Sequence, residues 1–157
     1  MINLIAAIAK NRAIGNNGKL LCHIPEDLKR FKKLTENNII IMGRKTYDSL
    51  PNKPLKNRIN IVITNQDIEL DGCIVVHSIE DSLKESKKYN DKEVFIIGGA
   101  KIYEQFMDKA DKLYLTYIEE DYEADTFFPE LVGNWKVVNV KKGEWGNYIF
   151  ADYEREK

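Results

Sequence analysis

The sequence predicts an α/β protein: a single domain with a central, mostly parallel sheet of about eight strands, helices on both faces and a C-terminal antiparallel hairpin. Three observations predict this fold. Short, almost continuously apolar segments alternate with segments of helical periodicity, which is typical of parallel strands covered on both faces. Residues 135–141 and 148–154 instead alternate apolar and polar side chains, as a hairpin does. The 157 residues, 43% of them hydrophobic, suit one compact domain spanning 1–157.

Six segments before the hairpin are predicted as strands because each is short and apolar. They are Ile2–Ala9, 39–42, 58–64, 73–77, 93–97 and Lys112–Ile118. The segments with helical periodicity are 24–36, 44–50, 79–89 and 100–107. Residues 10–23 are predicted to form a long loop with a tip rich in glycine and asparagine, of the kind that forms a lid or a binding loop.

The first predicted helix carries an acid that does not fit its pattern. Its apolar face is formed by Ile24, Leu28, Phe31 and Thr35. The charged residues predicted to face solvent are Glu26, Lys29, Arg30 and Lys33. Asp27 falls on the apolar side, where an ionised carboxylate is costly unless a cation or a hydrogen bond meets it. Two interpretations follow. Asp27 is either a functional acid, or it only interacts favourably with the positive end of the helix dipole, in the first turn of a helix that begins at Pro25.

Composition argues against several classes of protein. With 24 basic and 25 acidic residues the net charge is −1, so no global field attracts nucleic acid or an anionic membrane. The apolar opening segment is too short to span a bilayer and lacks the features of a signal peptide. Two cysteines, Cys22 and Cys73, indicate a reduced cytoplasmic protein, and with His23 and His77 they lack zinc-site spacing. We expect a cytoplasmic monomer without a metal.

Strand-to-helix junctions are expected to meet at one edge of the sheet, where such folds bind ligands: 9–27, 42–46 and 97–101. The segment GRKT at 43–46 combines a helix amino terminus, two cations and a hydroxyl, which suits a phosphate. The segment GGAK at 98–101 lets the backbone approach a pyrophosphate closely. Each segment alone is a common turn or cap, but two at one edge favour a dinucleotide.

The chemistry of this edge favours a particular nucleotide and reaction. Neither segment matches a P-loop or the G-x-G-x-x-G pattern. Arg44 and Lys45 stand where NAD-binding proteins carry an acidic ribose contact, which favours a cofactor with an additional phosphate, NADPH. The sequence spacing indicates no Ser-His-Asp or Cys-His catalytic arrangement. Asp27 is the strong candidate for an acid–base catalyst. One carboxylate in an apolar cleft beside a nicotinamide suggests hydride transfer with protonation.

A series of motifs in one order carries a family resemblance. They are LIAAIAKNRAIG, IPEDLKRFKKLT, IIMGRKTYDSLP, NRINIVIT, VFIIGGAKIYEQF, LYLTYI and DTFFPE. Over essentially its whole length the chain resembles dihydrofolate reductase. The resemblance implies an oxidoreductase that converts 7,8-dihydrofolate to 5,6,7,8-tetrahydrofolate, with hydride from NADPH reaching pterin C6 while N5 gains a proton. It also implies binding of antifolate inhibitors.

The resemblance assigns residues to the substrate. Asp27 matches the acid that accepts hydrogen bonds from the pterin 2-amino group and N3, and Thr116 matches the threonine that steadies it. Arg58 matches the arginine that grips the α-carboxylate of the glutamate tail, for which a planar bidentate cation is suited, and Lys32 contributes there. The residues implied to line the pocket are Ile5, Ala6, Leu28, Phe31, Leu50 and Leu55.

The resemblance also assigns residues to the cofactor. Those at the nicotinamide end and in the lid loop are Ala7, Ile14, Gly15, Asn16, Asn17, Gly18 and Lys19. Those at the pyrophosphate and nicotinamide ribose are Ile97, Gly98, Gly99, Ala100, Lys101, Ile102, Tyr103 and Gln105, with a cis peptide between the two glycines. Those around the adenosine phosphates are Gly43, Arg44, Lys45, Thr46, Thr64, Asn65 and His77. Asp125 matches an acidic residue whose loop braces the closed lid.

The chain departs from the family pattern just before the Asp27 helix. The family usually shows a Pro-Trp pair where this chain has Leu21-Cys22. The tryptophan supplies a pocket wall and an indole N–H, whereas Cys22, expected at the catalytic centre, is smaller and a weak donor. Two alternatives follow: an NADPH reductase of the same fold acting on another heterocycle, or a non-catalytic folate or nucleotide carrier. Asp27 and Arg58 argue against the first, such as the pyrimidine reductase of riboflavin synthesis.

The departure at Cys22 predicts a roomier pocket. We expect Cys22→Trp to tighten binding of dihydrofolate and of diaminopyrimidine inhibitors, because the indole restores apolar contact and a hydrogen-bond donor. Equilibrium binding titrations of the wild type and the variant measure this. Unchanged or weaker affinity would contradict the prediction.

Overall fold

The computed structural model describes residues 1–16, 19–20, 24–144 and 146–156, with the backbone alone at 16, 19 and 20. The strands of the described chain, in order, are β1 (Ile2–Ala9), β2 (Ala13–Asn16), β3 (Lys19–Leu20), β4 (Ile39–Gly43), β5 (Ile59–Ile63), β6 (Cys73–Val76), β7 (Val94–Gly98), β8 (Lys112–Ile118), β9 (Thr126–Phe127), β10 (Trp135–Lys142) and β11 (Tyr148–Arg155). The helices are α1 (Pro25–Thr35), α2 (Arg44–Ser49), α3 (Ile79–Ser86) and α4 (Ala100–Phe106), which a short 3₁₀-helix (Met107–Lys109) continues. No helix in the described part has the length and apolarity to cross a membrane.

The main sheet has eight strands in the order β10-β11-β8-β1-β7-β4-β5-β6. Neighbouring strands from β8 to β6 are parallel. At the other side β11 pairs antiparallel with both β8 and β10. The predicted mixed sheet with its C-terminal antiparallel hairpin is therefore confirmed.

The core forms two layers, one on each face of this sheet. Successive side chains of a strand point to opposite faces. Ile39 and Ile41 belong to a cluster that includes Tyr103 and Phe106 of α4. Ile40 and Met42 belong to a second cluster, against which Phe31 of α1 packs. All four β4 side chains are fully buried, which explains why this strand is apolar at every position.

The long loop predicted at 10–23 contributes two strands to a small sheet that the sequence did not predict. Strands β2, β3 and β9 form this antiparallel sheet, in the order β3-β2-β9. The amide of Asp125 also donates to the carbonyl of Gly15 at 3.3 Å. The loop prediction was incomplete because these strands have two to four residues and one partner lies more than a hundred positions away.

Glu26 and Arg30, which were predicted to face solvent, are only partly exposed because they also contact the C-terminal hairpin. The carboxylate of Glu26 accepts hydrogen bonds from the Tyr148 hydroxyl at 2.5 Å and from the Glu144 amide at 3.0 Å. These hydrogen bonds hold the pKa of Glu26 below its usual range. Arg30 forms an ion pair with Asp152 of β11. The C-terminal hairpin thus contacts the charged side of α1, and helical periodicity holds no information about such a neighbour.

Arg155 joins the end of β11 to the far end of α4. Its guanidinium donates to the carbonyls of Ala110 at 2.9 Å and Met107 at 2.6 Å. The guanidinium carbon also lies 4.3 Å from the centre of the Trp135 ring. One side chain therefore satisfies two carbonyls around the 3₁₀-helix and stacks on the edge strand β10.

We expect Arg155→Ala to lower the free energy of unfolding by about 1–3 kcal/mol, since two carbonyls lose their charged donor. Urea unfolding monitored by circular dichroism measures the change. Lys109→Ala is the matched control, because its pair with Asp108 at 3.6 Å is largely exposed, and its effect should stay within about 0.5 kcal/mol. Equal effects of the two substitutions would contradict the role of Arg155.

Candidate active site

A crevice at the carboxyl edge of the sheet arises where two central strands stop pairing. Strand β1 pairs with β7 only from Ile2 to Leu4, whereas its pairing with β8 continues to Ala9. Beyond Leu4, β1 and β7 run on without pairing. Ligands of open parallel sheets bind in crevices at this edge. The segments that contain Ala6, Ala7 and the glycine pair of β7 therefore flank the candidate site.

Asp27 lies in the first turn of α1, beside this crevice. Pro25 begins the helix and no side chain caps it, so the early position of Asp27 also suits the helix dipole. The hydroxyl of Thr116 on β8 donates to Asp27 Oδ1 at 2.5 Å. Burial raises the pKa of Asp27, while the Thr116 hydrogen bond and the charge of Arg30 lower it. The site thus holds an acid whose proton binds more tightly than that of an exposed aspartate.

An apolar wall lies next to this acid. Ile5 is buried, and Phe31, Leu50 and Leu55 pack against the cluster to which Ile5 belongs. Ala6 and Ala7 are partly buried and Lys32 is exposed. Leu28, predicted on the apolar face, is 41% exposed. An exposed leucine in the first turns of α1 contributes free apolar surface beside Asp27, as a binding wall requires.

Arg58 stands just before β5, held by contacts with α1. It donates through Nη1 to the Thr35 hydroxyl at 3.2 Å and through Nε to the Lys56 carbonyl at 2.9 Å. Its guanidinium carbon lies 6.0 Å from the centre of the Phe31 ring. Burial lowers the pKa of Arg58, and the charge of Glu36 opposes this. The guanidinium is thus oriented and partly desolvated, which favours binding of a carboxylate.

Asn60 is a site residue that sequence reasoning missed. It is 2% exposed, and its side-chain amide exchanges hydrogen bonds with the backbone of Leu55 at 3.1 and 3.0 Å. The same amide donates to the Arg58 carbonyl at 3.0 Å. Asn60 therefore positions two predicted substrate contacts. The available signal was a polar residue inside an otherwise apolar strand, which must find partners when buried.

The glycine pair where β7 ends and α4 begins, Gly98 and Gly99, meets the start of α2. The peptide between Gly98 and Gly99 is cis, as the resemblance implies. A Cβ on Gly98 would lie 3.3 Å from Thr46 Oγ1, and one on Gly99 would lie 3.6 Å from it. Gly98 also has φ +128°, which side-chain-bearing residues rarely adopt. The Gly98–Gly99 backbone and the Thr46 hydroxyl thus form a narrow polar site that a ligand can approach closely. Such a site fits a pyrophosphate-bearing cofactor.

Tyr103 has a role that the sequence did not reveal. It was predicted as a cofactor contact, but its buried hydroxyl donates to the carbonyl of Ile5 at 2.7 Å. Burial raises the pKa of Tyr103, so the phenol stays a neutral donor. The hydrogen bond reaches β1 just past the point where its pairing with β7 ends. Tyr103 thus bridges the crevice from α4 and satisfies a carbonyl that β7 leaves without a partner.

The other predicted cofactor residues lie at the ends of β4 to β7 and on α4. Arg44 donates to Asp48 Oδ1 and to Gln66 Oε1, both at 3.0 Å, so its guanidinium is already partnered. His77 Nδ1 lies 2.8 Å from the carbonyl of the buried Thr64. Exposed members of the set are Lys45, Asn65, Lys101 and Gln105. Partly buried members are Gly43, Ile97, Ala100 and Ile102.

The lid loop is described only in part. Ile14 and Gly15 are partly buried in β2, and Asn16 and Lys19 lie in β2 and β3. The predictions for Asn17, Gly18 and Cys22, with Leu21 and His23, fall outside the described residues. Asp125, predicted to brace the lid, belongs to the segment whose backbone pairs with β2. Among the described residues, no group of histidine, cysteine and acidic side chains could hold a metal ion.

Comparison with known proteins gives consistent results. The family model for dihydrofolate reductase matches residues 1–155. The dihydrofolate reductase of Buchnera aphidicola subsp. Acyrthosiphon pisum (strain APS) is 48% identical over 90% of this chain and 88% of its own. That of Bacillus subtilis (strain 168) is 44% identical over 98% of this chain and 91% of its own. A solved dihydrofolate reductase from Enterococcus faecalis, complexed with NADP(H) and RAB-propyl, superposes with a TM-score of 0.91 at 35% identity, covering 100% of this chain and 97% of its own.

Asp27 is expected to reduce stability at neutral pH. Because its pKa is raised in the folded protein, its stabilising contribution is complete below the pKa of an unfolded aspartate and is lost as pH rises through the folded value. Asp27→Asn should therefore raise the free energy of unfolding by about 0.5–2 kcal/mol at neutral pH and by much less near pH 3. Urea unfolding at both pH values measures this, with the exposed Asp91→Asn as control. A gain independent of pH, or none, would contradict it.

Proposed function

The chain belongs to the dihydrofolate reductase family, and we propose that Asp27 is the acid at the centre of its reaction. The protein is an oxidoreductase that reduces 7,8-dihydrofolate to 5,6,7,8-tetrahydrofolate with NADPH as its cofactor. The observation that supports the role of Asp27 most directly is its partly buried carboxylate, held by Thr116 beside the crevice. A carboxylate in this setting needs a polar partner, and the substrate ring supplies one.

Asp27 binds one edge of the pterin. Its carboxylate accepts hydrogen bonds from the 2-amino group and N3, a pairing that fixes the ring because both contacts are made by one planar group. The Thr116 hydrogen bond restricts rotation of the carboxylate before substrate arrives. Ile5, Phe31 and Leu28 exclude water from the ring and strengthen the electrostatic contact. Positioning and charge stabilisation thus come from the same small set of side chains.

Asp27 also keeps a proton in the site. Reduction requires N5 to gain a proton, so the competent complex is the one in which a proton is shared between the pterin and Asp27. Burial raises the pKa of Asp27, and the proton-loaded form therefore persists to higher pH than at an exposed aspartate. The rate of hydride transfer should fall as pH rises through the pKa of the site.

Arg58 binds the other end of the substrate. Its guanidinium is oriented by Thr35 and Lys56 and partly desolvated, which suits the α-carboxylate of the glutamate tail. Lys32 is exposed on α1 and adds positive charge at this end. Asn60 holds the backbone of Arg58 and Leu55, so it fixes the distance between the tail site and the apolar wall.

The cofactor is held along the crevice and the ends of β4 and β5. When bound, NADPH supplies the hydride. The Gly98–Gly99 backbone and Thr46 would hold its pyrophosphate. Lys45, Thr64 and Arg44 would surround its adenosine phosphates, Arg44 with the guanidinium N–H groups that Asp48 and Gln66 do not use. Ala7, Ile14 and Gly15 contact the nicotinamide end and exclude water from it. The backbone pairing of β2 with β9 supports this part of the lid loop.

The proposal extends to the setting of the enzyme. Near-balanced charge, with a net value of −1, supports a protein that binds small molecules without nucleic acid or membrane. Few cysteines support a reduced cytoplasmic location, and we propose a monomer that also binds antifolate inhibitors in the pterin pocket. A reductase for another heterocycle is not favoured, because the relatives compared are dihydrofolate reductases.

Asp27→Asn tests the role of the acid. We expect the rate of hydride transfer near neutral pH to fall by about 100-fold or more, because the site can no longer hold the proton. Loss of absorbance at 340 nm with dihydrofolate and NADPH measures turnover, and single-turnover mixing isolates the chemical step. NADPH affinity, followed by fluorescence titration, should be unchanged. A variant that keeps most of the activity would remove Asp27 from the mechanism, and an inactive wild type would favour a carrier.

A further inference from the structure

A partly buried ion pair lies one helical turn from Asp27 and has no role in the proposed mechanism. Arg30 of α1 and Asp152 of β11 form this pair, and their side chains are 20% and 16% exposed. The Arg30 guanidinium carbon lies 4.7 Å from the centre of the Phe150 ring. The other carboxylate oxygen of Asp152 accepts from the Asn139 side-chain amide at 3.3 Å. Both charges are therefore fixed in place.

The sheet register places this pair on the same face as Thr116. Phe150 of β11 is directly opposite Thr116 of β8, and Asp152 is opposite Tyr114. Residues two apart on a strand point to the same face, so all four side chains share the side that α1 covers. The hydroxyl that holds Asp27 and the carboxylate that holds Arg30 thus belong to one surface. The charge of Arg30 acts on the Asp27 carboxylate from this surface.

We propose that Arg30 and Asp152 together set how readily Asp27 gives up its proton, with Arg30 favouring the ionised carboxylate and Asp152 offsetting Arg30. Both are positioning residues, since neither touches the reacting atoms. The inference rests on the proposed function of Asp27 and adds a regulation of that site. It predicts that removal of the Arg30 charge and removal of the Asp152 charge change the proton affinity of Asp27 in opposite directions.

Helix geometry and charge explain the direction of each effect. Side chains three residues apart on a helix are neighbours, about 5–6 Å between Cβ atoms. A cation at this range favours the ionised carboxylate. Burial raises the pKa of Asp27. Two smaller effects lower it, first the Thr116 hydrogen bond and then the charge of Arg30. Asp152 cancels part of the Arg30 charge, so its removal should expose Asp27 to more of it.

Other described groups face Asp27 from neighbouring elements. Tyr103 of α4 interacts with the Asp27 charge, Glu26 precedes Asp27 on α1 and is bonded to Tyr148 of β11, and Tyr114 of β8 shares the face that carries Thr116. Burial raises the pKa values of Tyr103 and Tyr114, so these phenols stay neutral where an aspartate titrates. Hydrogen bonds from Tyr148 and Glu144 lower the pKa of Glu26, whereas burial raises that of Asp27, so the two carboxyls are shifted in opposite directions. In the described chain the side chains of Arg30 and Asp152 bond to neither Asp27 nor Thr116, so a substitution of either one changes the charge and keeps both partners of the Asp27–Thr116 hydrogen bond.

The test is a titration of Asp27 itself in the ligand-free protein. Carbon-13 labelled aspartate allows each carboxyl to be followed by NMR, and the Asp27 resonance is assigned by its loss in Asp27→Asn. We expect Asp152→Asn to lower the pKa of Asp27 and Arg30→Met to raise it, each by about 0.5 unit. The double variant should return close to the wild type. Lys29→Met, which removes an exposed cation from the same helix, is the control.

Shifts of the same sign in both single variants, or shifts no larger than that of Lys29→Met, would overturn the inference. If Arg30→Met does not fold, Asp152→Asn decides alone, because asparagine keeps the shape of the side chain. An unchanged or raised Asp27 pKa in that variant would then refute the inference. The pH profile of hydride transfer should move with the NMR values. The Asp27 pKa from NMR could change in opposite directions in the two variants while the pH profile of hydride transfer stays the same. That result would support the inference and contradict the proposed function of Asp27.

Discussion

The hydrogen bond from Thr116 to Asp27 joins helix α1 to the main sheet at the candidate active site. Thr116 is 1% exposed in β8, fixed between β1 and β11, whereas Asp27 stands in the first turn of a helix without a side-chain cap. A carboxylate here is tolerated because a rigid donor meets one oxygen and leaves the other for a ligand. The same burial raises its pKa. Burial therefore raises the proton affinity of Asp27, and the Thr116 hydrogen bond opposes part of that rise.

The crevice beside this acid results from an interruption in the sheet. Strand β1 leaves β7 after Leu4 but remains paired with β8 as far as Ala9, so the opening has one rigid wall. An opening in a sheet exposes backbone groups that must find partners. Tyr103 supplies one of them, and its hydroxyl bonds the Ile5 carbonyl. The opening is therefore a stable part of the fold, because this hydrogen bond links β1 at its wall to α4, the helix that follows the glycine pair.

The C-terminal hairpin contributes to the site although it brings no predicted site residue. Glu26 binds the hairpin through Tyr148 and Glu144, and Arg30 binds it through Asp152. These contacts fix the first two turns of α1 on either side of Asp27. They also surround the acid with charges of both signs, which makes its electrostatic setting a property of the assembled sheet.

The sequence by itself determined the order and type of the main elements, because apolar periodicity reflects which faces are buried. It also identified Asp27, as a charge on an apolar helix face, and family motifs indicated Thr116 and the glycine pair. Only the tertiary structure decided that Glu26 and Arg30 bind the hairpin, that Tyr103 bridges the crevice and that Asn60 holds Arg58. Such contacts depend on which distant segments meet, and local periodicity carries no information about a partner a hundred residues away.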